Sequence, residues 1–339
     1  FLGKQALAEK HYVFLEQNRL PERFAALQRG SFRIAELGFG TGLSFLLTMQ
    51  LWQKSAPPDA SLTYVSIEKH PAALKDLARI FSFWPELAAE ADLLLKQYPP
   101  LIEGVHHLHF PDARIHLMLV FGDVEDVLPE LQGTFDAWYL DGFSPAKNPK
   151  MWDEKLFPLI AARTRKDGTV STYSSAGFIR RGLAAVGFDA KRTEGFGGKW
   201  NMTAATLIKP PPAEPSKRNV TVLGAGIAGA SVAFALAQKG YDVTVIDRQM
   251  SAAAETSGNP VGVVYPKMTL DSAPFGRFHQ EGFCYTRNLA MALNLPSWTP
   301  CGVAHLDISA EKAERHRLFA AQGYPAEYLE YKDGALYQS

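Results

Sequence analysis

Cysteine is nearly missing from this chain, with two residues, Cys284 and Cys301, among 339. Neither stands in a C-x-x-C pair or a metal-ligand spacing, which excludes a disulfide framework and a thiolate zinc site; reduced core thiols of a cytosolic protein are expected. Net charge is missing too, since 35 Lys and Arg face 35 Asp and Glu. Any attraction to nucleic acid must therefore come from a local patch. No uninterrupted apolar run is long enough to cross a bilayer, and no solenoid-type repeat is visible. The chain opens on Phe1 rather than Met, so a front segment is expected to be missing. What is present suits a globular protein: 47% hydrophobic residues and length enough for two domains.

The first half alternates strand and helix patterns. Phe32-Arg33-Ile34-Ala35 reads as a strand, followed by Glu36-Leu37 and the turn Gly38-Phe39-Gly40-Thr41-Gly42. A helix then runs from Leu43 to about Trp52 and is broken by Pro57-Pro58. Leu62 to Ile67, Ile115 to Phe121, Ala137 to Leu140 and Thr169 to Tyr173 predict four further strands. The alternation implies an α/β fold with a largely parallel sheet and helices on both faces. Residues 1–30 predict a lead-in strand and a short helix at the domain edge, and helical periodicity dominates from Ala72 to about Tyr98. His106, His107 and His109 read as surface residues on a loop, with no Cys or paired carboxylate beside them, so no metal is expected. Residues 209–217 hold four prolines and predict a semi-rigid linker between a domain at 1–208 and another at 218–339.

Four acids close predicted strands of the first half: Glu36, Glu68, Asp123 and Asp141. In an open parallel sheet the carboxyl ends of the strands share one rim, where ligands bind. One or two such acids are ordinary helix N-caps; four beside a glycine loop point to a ligand. Gly38, Gly40 and Gly42, with Phe39 between them, let the backbone lie flat against it. Glu68 lies 26 residues after Gly42, a suitable distance for accepting both hydroxyls of a ribose, and Asp123 is placed to accept from an adenine amine. No Lys-Ser/Thr pair follows the glycines, so a phosphate-cradling P-loop is not expected. An adenosine cofactor with an uncharged tail fits better.

This pattern resembles class I S-adenosylmethionine-dependent methyltransferases, Rossmann-like in fold. The resemblance sharpens over Asp141-Gly142-Phe143-Ser144-Pro145-Ala146-Lys147-Asn148-Pro149-Lys150-Met151-Trp152, which departs from the Asn/Asp-Pro-Pro-aromatic element of many amine methyltransferases. With Ser175-Ala176-Gly177-Phe178-Ile179-Arg180-Arg181-Gly182-Leu183 and Gly195-Phe196-Gly197-Gly198-Lys199, residues 1–208 resemble the N-terminal half of the bifunctional tRNA 5-methylaminomethyl-2-thiouridine biosynthesis family, the MnmC family. The resemblance implies methyl transfer to the primary amine of 5-aminomethyl-2-thiouridine at the tRNA wobble position. Asp141 is then the expected catalytic residue, holding the amine beside the methyl. A lone carboxylate also favours the ammonium form, which opposes attack, so orientation is expected to outweigh proton removal.

A tRNA partner needs positive charge, and between Gly142 and Lys209 twelve basic residues face five acids, an excess of seven. Lys147, Lys150, Arg180, Arg181 and Lys199 are the expected phosphate contacts; a merely solvated basic face is the plainer reading. Trp152, Phe178 and Trp200 are candidates for stacking on an extruded base, although core packing is the safer assignment for any one of them.

The second half begins with Asn219-Val220-Thr221-Val222-Leu223, then Gly224-Ala225-Gly226-Ile227-Ala228-Gly229, an Ala-rich helix, and a second strand ending in Asp247. This is the dinucleotide fingerprint in its strand-turn-helix-strand setting, with Asp247 placed for ribose hydroxyls. The next segment, Ser257-Gly258-Asn259-Pro260, resembles the flavin-contacting turn of D-amino-acid-oxidase-like enzymes, which implies FAD rather than NAD. In the MnmC family that domain removes the carboxymethyl group from 5-carboxymethylaminomethyl-2-thiouridine, exposing the amine that the first domain methylates. Residues 267–339 hold a helical stretch from Phe275 to Leu293 but no second glycine-rich return to the flavin. The flavin domain is thus expected to be partial and the chain a piece of a longer one. Two other readings compete: a small-molecule amine methyltransferase fused to an amino-acid-oxidase-like flavoprotein, and a non-catalytic nucleic-acid-binding scaffold. The intact Glu36, Glu68, Asp123, Asp141 and Asp247 argue against the scaffold.

Overall fold

Both faces of the first sheet are buried, which is why its strands read as apolar runs with little alternation. The structure, a computed structural model, describes residues 3–142, 148–198, 201–209, 219–270 and 274–338. Lys147, Lys199, Trp200 and the proline-rich stretch 210–218 lie outside the described residues. Eight strands form one sheet: β1 (Gly30–Leu37), β2 (Ala60–Glu68), β3 (Gly104–Phe110), β4 (Ile115–Phe121), β5 (Phe135–Leu140), β6 (Thr164–Thr172), β7 (Phe188–Thr193) and β8 (Met202–Leu207). Their order is β3-β4-β2-β1-β5-β6-β8-β7. The five strands legible in the sequence (β1, β2, β4, β5 and β6) are the five parallel ones at its centre; β3 and β8 run antiparallel to their inner neighbours.

The helices of this half are α1 (Lys4–Lys10), α2 (Leu20–Ala25), α3 (Leu43–Ser55), α4 (Leu74–Phe81), α5 (Ala88–Gln97), α6 (Val124–Glu130), α7 (Leu156–Ala162) and α8 (Gly177–Ala185). One core packs Ile34, Tyr64, Leu117 and Tyr139 of the sheet against α2, α3 and α5. The other packs Ala35, Val65, Val120 and Trp138 against α6, α7 and α8. Successive residues of each strand thus enter opposite cores. At the α7–α8 contact a Cβ on Gly182 would lie 2.3 Å from the Phe157 ring. Gly182→Ala is therefore expected to destabilise the domain by about 1–3 kcal/mol through overpacking, measured as a lowered denaturation midpoint with unchanged slope.

Two expectations fail. No lead-in strand occurs among the described residues before β1: α1 continues into a single π-helical turn, His11–Glu16, and then α2. The β-prone run Tyr12-Val13-Phe14 misleads because tertiary packing overrides propensity, with the Phe14 ring tilted against that of Tyr139 at a centroid distance of 5.0 Å. Nor do His106, His107 and His109 sit on a surface loop. They belong to the edge strand β3, and His106 and His109 are buried. The edge is covered from the second half, where a buried histidine edge meets polar side chains instead of solvent.

That half holds the parallel pair β9 (Asn219–Leu223) and β10 (Asp242–Ile246), joined by α9 (Ile227–Gln238). Beyond it lie α10 (Pro274–Ala292), β11 (Val303–Leu306), α11 (Ala310–Ala320), β12 (Leu329–Lys332) and β13 (Ala335–Gln338), the last three strands forming a sheet of order β11-β13-β12. Helix α10 covers β3. The Glu281 carboxylate accepts from the Val105 amide at 3.0 Å, Asn288 Nδ2 donates to the His107 carbonyl at 2.9 Å, and Tyr285 packs edge-on against His107 and His109. Burial pushes the imidazoles of His106 and His109 down to about 4 and that of His107 to about 3, so this contact is made by neutral rings.

Candidate functional site

The strand order reverses between β1 and β5, and in sheets of this kind ligands bind outside the carboxyl ends of the strands at such a point. Three backbone hydrogen bonds carry the sheet past its last regular residues: Gly38 N to Ile67 O at 2.9 Å, Gly122 N to Glu68 O at 2.9 Å and Asp141 N to Leu37 O at 3.0 Å. Glu36, the glycine turn, Glu68, Asp123 and Asp141 thereby share one rim, as the sequence spacing suggests. Gly38 at φ +100°, Gly40 at +56° and Gly42 at +76° all take left-handed conformations that favour glycine. A Cβ on Gly42 would meet the Phe39 ring at 2.7 Å, whereas one on Gly40 would meet nothing within 4 Å. The turn is packed from below and open above. Phe39 is buried beneath it, so its contribution to a ligand is through its backbone.

Two carboxylates lie deep in this rim. Glu36 is 1% exposed, and Ser66 Oγ donates to its Oε2 at 2.7 Å, while Oε1 has no hydrogen bond among the described residues. Burial first, and the charge of Asp141 second, push the Glu36 carboxyl far above the usual carboxylate range. Burial also raises the Asp141 carboxyl above its usual range, with Lys10 and Ser44 opposing part of that rise. Of the two, Asp141 is the one that meets a cation. Lys10 Nζ donates to Asp141 Oδ2 in an ion pair, and Ser44 Oγ donates to the same oxygen at 3.1 Å. Beside them the Tyr173 hydroxyl donates to the Gly142 carbonyl.

Glu68 already serves the loop: Oε2 accepts from the Gly40 amide at 2.8 Å and Oε1 from the His70 amide at 2.7 Å. Asp123 caps α6, its Oδ1 accepting from Glu125 N at 3.1 Å, and Lys69 Nζ donates to Oδ2 at 2.6 Å. The Lys69 hydrogen bond holds the Asp123 carboxyl below its usual range. Both carboxylates face the rim as hydrogen-bond acceptors. A glycine cradle open on one side, acceptors above it and a buried orphan oxygen beneath fit S-adenosylmethionine in its adenosine and aminoacyl parts.

Sequence reasoning did not find Lys10, Ser44, Ser66 or Tyr173. Lys10 stands 131 residues from Asp141, and no local pattern marks it. The basic excess, by contrast, is partly spent inside the domain. Arg163 donates to the carbonyls of Leu131, Leu159 and Pro129, and Arg165 pairs with Asp136 at 2.8 Å. Lys150 pairs with Glu125 at 2.9 Å, yet stays exposed. Arg180 donates to the Ser175 carbonyl at 2.6 Å, and Arg181 is exposed on α8. Trp152 is buried and Phe178 packs on the same core, so both read as packing residues. Among the described residues no group of His, Cys, Asp or Glu is arranged to hold a metal.

The second glycine turn is tighter still. A Cβ on Gly229 would stand 1.8 Å from the Gly224 carbonyl oxygen, so α9 begins against the turn only because that position is glycine. Asp247 Oδ2 accepts from Ala225 N and Oδ1 from Gln249 N, each at 2.7 Å; the Ala225 amide, first of these, holds the carboxyl below its usual range. Ser257 Oγ accepts from Ile227 N at 3.0 Å at the start of α9. A cavity of about 260 Å³ lies between them, lined by Gly226, Asp247, Arg248, Glu255 and Ser257. Gly258 closes the adjoining turn, where a Cβ would lie 2.3 Å from the Ala253 carbonyl, and Asn259 follows it exposed. Backbone donors at a helix start with a ribose-type acid opposite fit the adenosine diphosphate part of FAD.

Fold and sites define a protein of two enzyme domains, a Rossmann-like methyltransferase domain followed by a flavin-type dinucleotide-binding domain. Residues 85–208 match the family model of an S-adenosyl-L-methionine-dependent methyltransferase, and residues 219–336 that of an FAD dependent oxidoreductase. The tRNA 5-methylaminomethyl-2-thiouridine biosynthesis bifunctional protein MnmC of Methylobacillus flagellatus is 40% identical over 98% of this chain and 52% of its own length. That of Pseudomonas paraeruginosa is 43% identical over 97% and 52%. A solved structure, MNMC2 from Aquifex Aeolicus, is 28% identical, with 62% of this chain and 64% of that chain covered and a TM-score of 0.47. Over nearly its whole length the chain is similar to proteins named MnmC, and it spans about half the length of the curated relatives it matches. S-adenosylmethionine and FAD are the cofactors of its two domain families.

Proposed function

We propose that this chain takes part in modifying the wobble uridine of tRNA in the cytoplasm. Residues 1–208 methylate the amine of 5-aminomethyl-2-thiouridine, and residues 218–339 contribute to the FAD-dependent domain that frees this amine from its carboxymethyl group. The observation that carries the reading is the meeting, at one switch point, of an open glycine cradle and a buried carboxylate, Asp141, already holding an ammonium group. The carboxylate paired there with Lys10 is a hydrogen-bond acceptor for a substrate amine.

S-adenosylmethionine, when bound, supplies a methyl on a sulfonium: the amine lone pair forms the N–C bond as the C–S pair returns to sulfur. Glu68 accepts from the ribose, Asp123 from the adenine edge, and Gly38, Gly40 and Gly42 admit the chain between them. Asp141 orients the amine and then takes the proton that the methylated nitrogen sheds, directly or through water. Lys150, Arg180 and Arg181, with Lys147 and Lys199, contact phosphates. In the second half, Gly224, Gly226, Gly229 and Ser257 hold the flavin pyrophosphate, Asp247 the ribose, and Gly258 and Asn259 the approach to the ring.

Labelled S-adenosylmethionine with bulk tRNA from cells lacking the modification, followed by nucleoside mass analysis, tests this. Label in 5-methylaminomethyl-2-thiouridine is expected, with a rate that falls steeply with salt. Equal rates on the free aminomethyl nucleoside, insensitive to salt, would replace tRNA by a small amine as substrate.

A further inference from the structure

Asp141 is not the lone carboxylate that a primary-amine site would place beside its substrate. Lys10, from the last turn of α1, reaches Oδ2 of Asp141, and its Nζ also lies 5.1 Å over the Phe14 ring. Ser44 Oγ converges on that same oxygen, and among the described residues every recorded donor to the Asp141 carboxylate goes to Oδ2. The Lys10 side chain is 29% exposed against 7% for Asp141, so the lysine reaches a buried carboxylate from the solvent side. Among the described residues the ionisable groups facing Asp141 are Lys10 and Glu9 from α1, Glu36 from β1, Tyr64 from β2 and Tyr173 beyond β6. Lys10 is the one cation among these described groups.

An aliphatic amine reaches such a site from water mainly as an ammonium ion, and in that form has no lone pair to attack with. An unpaired buried carboxylate would make matters worse by holding it charged. We propose that Lys10 is a positioning residue for methyl transfer: by cancelling the charge of Asp141 through Oδ2, it lets the substrate amine sit at the same carboxylate uncharged. The proposal rests on the amine-methylating reading of this site. A second cation beside an already paired carboxylate is disfavoured, so the substrate releases its proton to water on entering and keeps its lone pair. Asp141 then acts as a hydrogen-bond acceptor that aims the nitrogen, and the proton shed after methylation leaves by the same carboxylate. Nothing else is consumed.

The test is the pH dependence of single-turnover methyl transfer on tRNA carrying 5-aminomethyl-2-thiouridine. Lys10→Met is expected to move the rising limb upward by about one to two units, because the substrate ammonium then becomes the cationic partner of Asp141. At neutral pH that is a loss of about 10- to 100-fold, recovered at high pH. Lys10→Arg, which keeps the charge, holds the limb in place. An independent readout is the ¹³C titration of the Asp141 carboxyl in the cofactor-free protein, whose midpoint rises in Lys10→Met. A uniform loss at every pH, or an unmoved limb and an unmoved carboxyl midpoint, would overturn the role of Lys10 while leaving the reaction intact. Failure of the unaltered protein to label tRNA at any pH would overturn the underlying reading, and this role with it.

Discussion

Asp141→Ala is expected to bind S-adenosylmethionine within a few-fold of the unaltered chain and to transfer methyl about a thousandfold more slowly. The two effects separate because Asp141 enters the rim twice. Its backbone amide donates to the Leu37 carbonyl at 3.0 Å, which holds the end of β5 whatever the side chain. Its carboxylate faces Lys10 and Ser44, on the substrate side, and makes no recorded bond to the glycine turn. Alanine removes the group that orients the amine, and misplacement by about 1 Å already costs two orders of magnitude. Titration calorimetry beside single-turnover kinetics checks this, and unchanged turnover would remove Asp141 from the mechanism.

Gly40→Asn is expected to weaken S-adenosylmethionine binding on the order of a hundredfold while shifting the melting temperature by only a few degrees. The backbone at Gly40 has φ +56°, and a Cβ there meets nothing within 4 Å. Asparagine tolerates that conformation better than other side chains, so the folded protein accepts it. The space it occupies is the space reserved for the ligand above the turn. Gly42 provides the contrast, since a Cβ at that position strikes the Phe39 ring at 2.7 Å and a substitution there disturbs fold and binding together. Equal affinity in Gly40→Asn would place the donor away from this loop.

The rim was legible because the chemistry of parallel strands writes itself locally. An apolar run with an acid at its end marks Glu36, Glu68, Asp123 and Asp141, and β4 occupies the residues its apolar run suggests. The edge strand β3 was not legible: its three histidines read as polar until Tyr285, Asn288 and Glu281 of α10 bury them. The run around Phe14 carries strand propensity and forms a π-helical turn, because the ring is needed against Tyr139. Lys10 was invisible for a different reason, since its meaning comes entirely from a partner at the far end of the domain. Counting charge overstated the surface open to phosphate, because Arg163 and Arg165 are engaged by neighbouring carbonyls and Asp136. Local order shows in sequence; pairings across the fold do not.

The most direct measurement is a crystal structure of this chain with S-adenosylmethionine bound. The account predicts the ribose at Glu68, the aminoacyl chain over Gly38 and Gly40, and the methyl carbon facing Asp141 with Lys10 still at Oδ2. A donor lodged elsewhere, with the carboxylate rim empty, would contradict it.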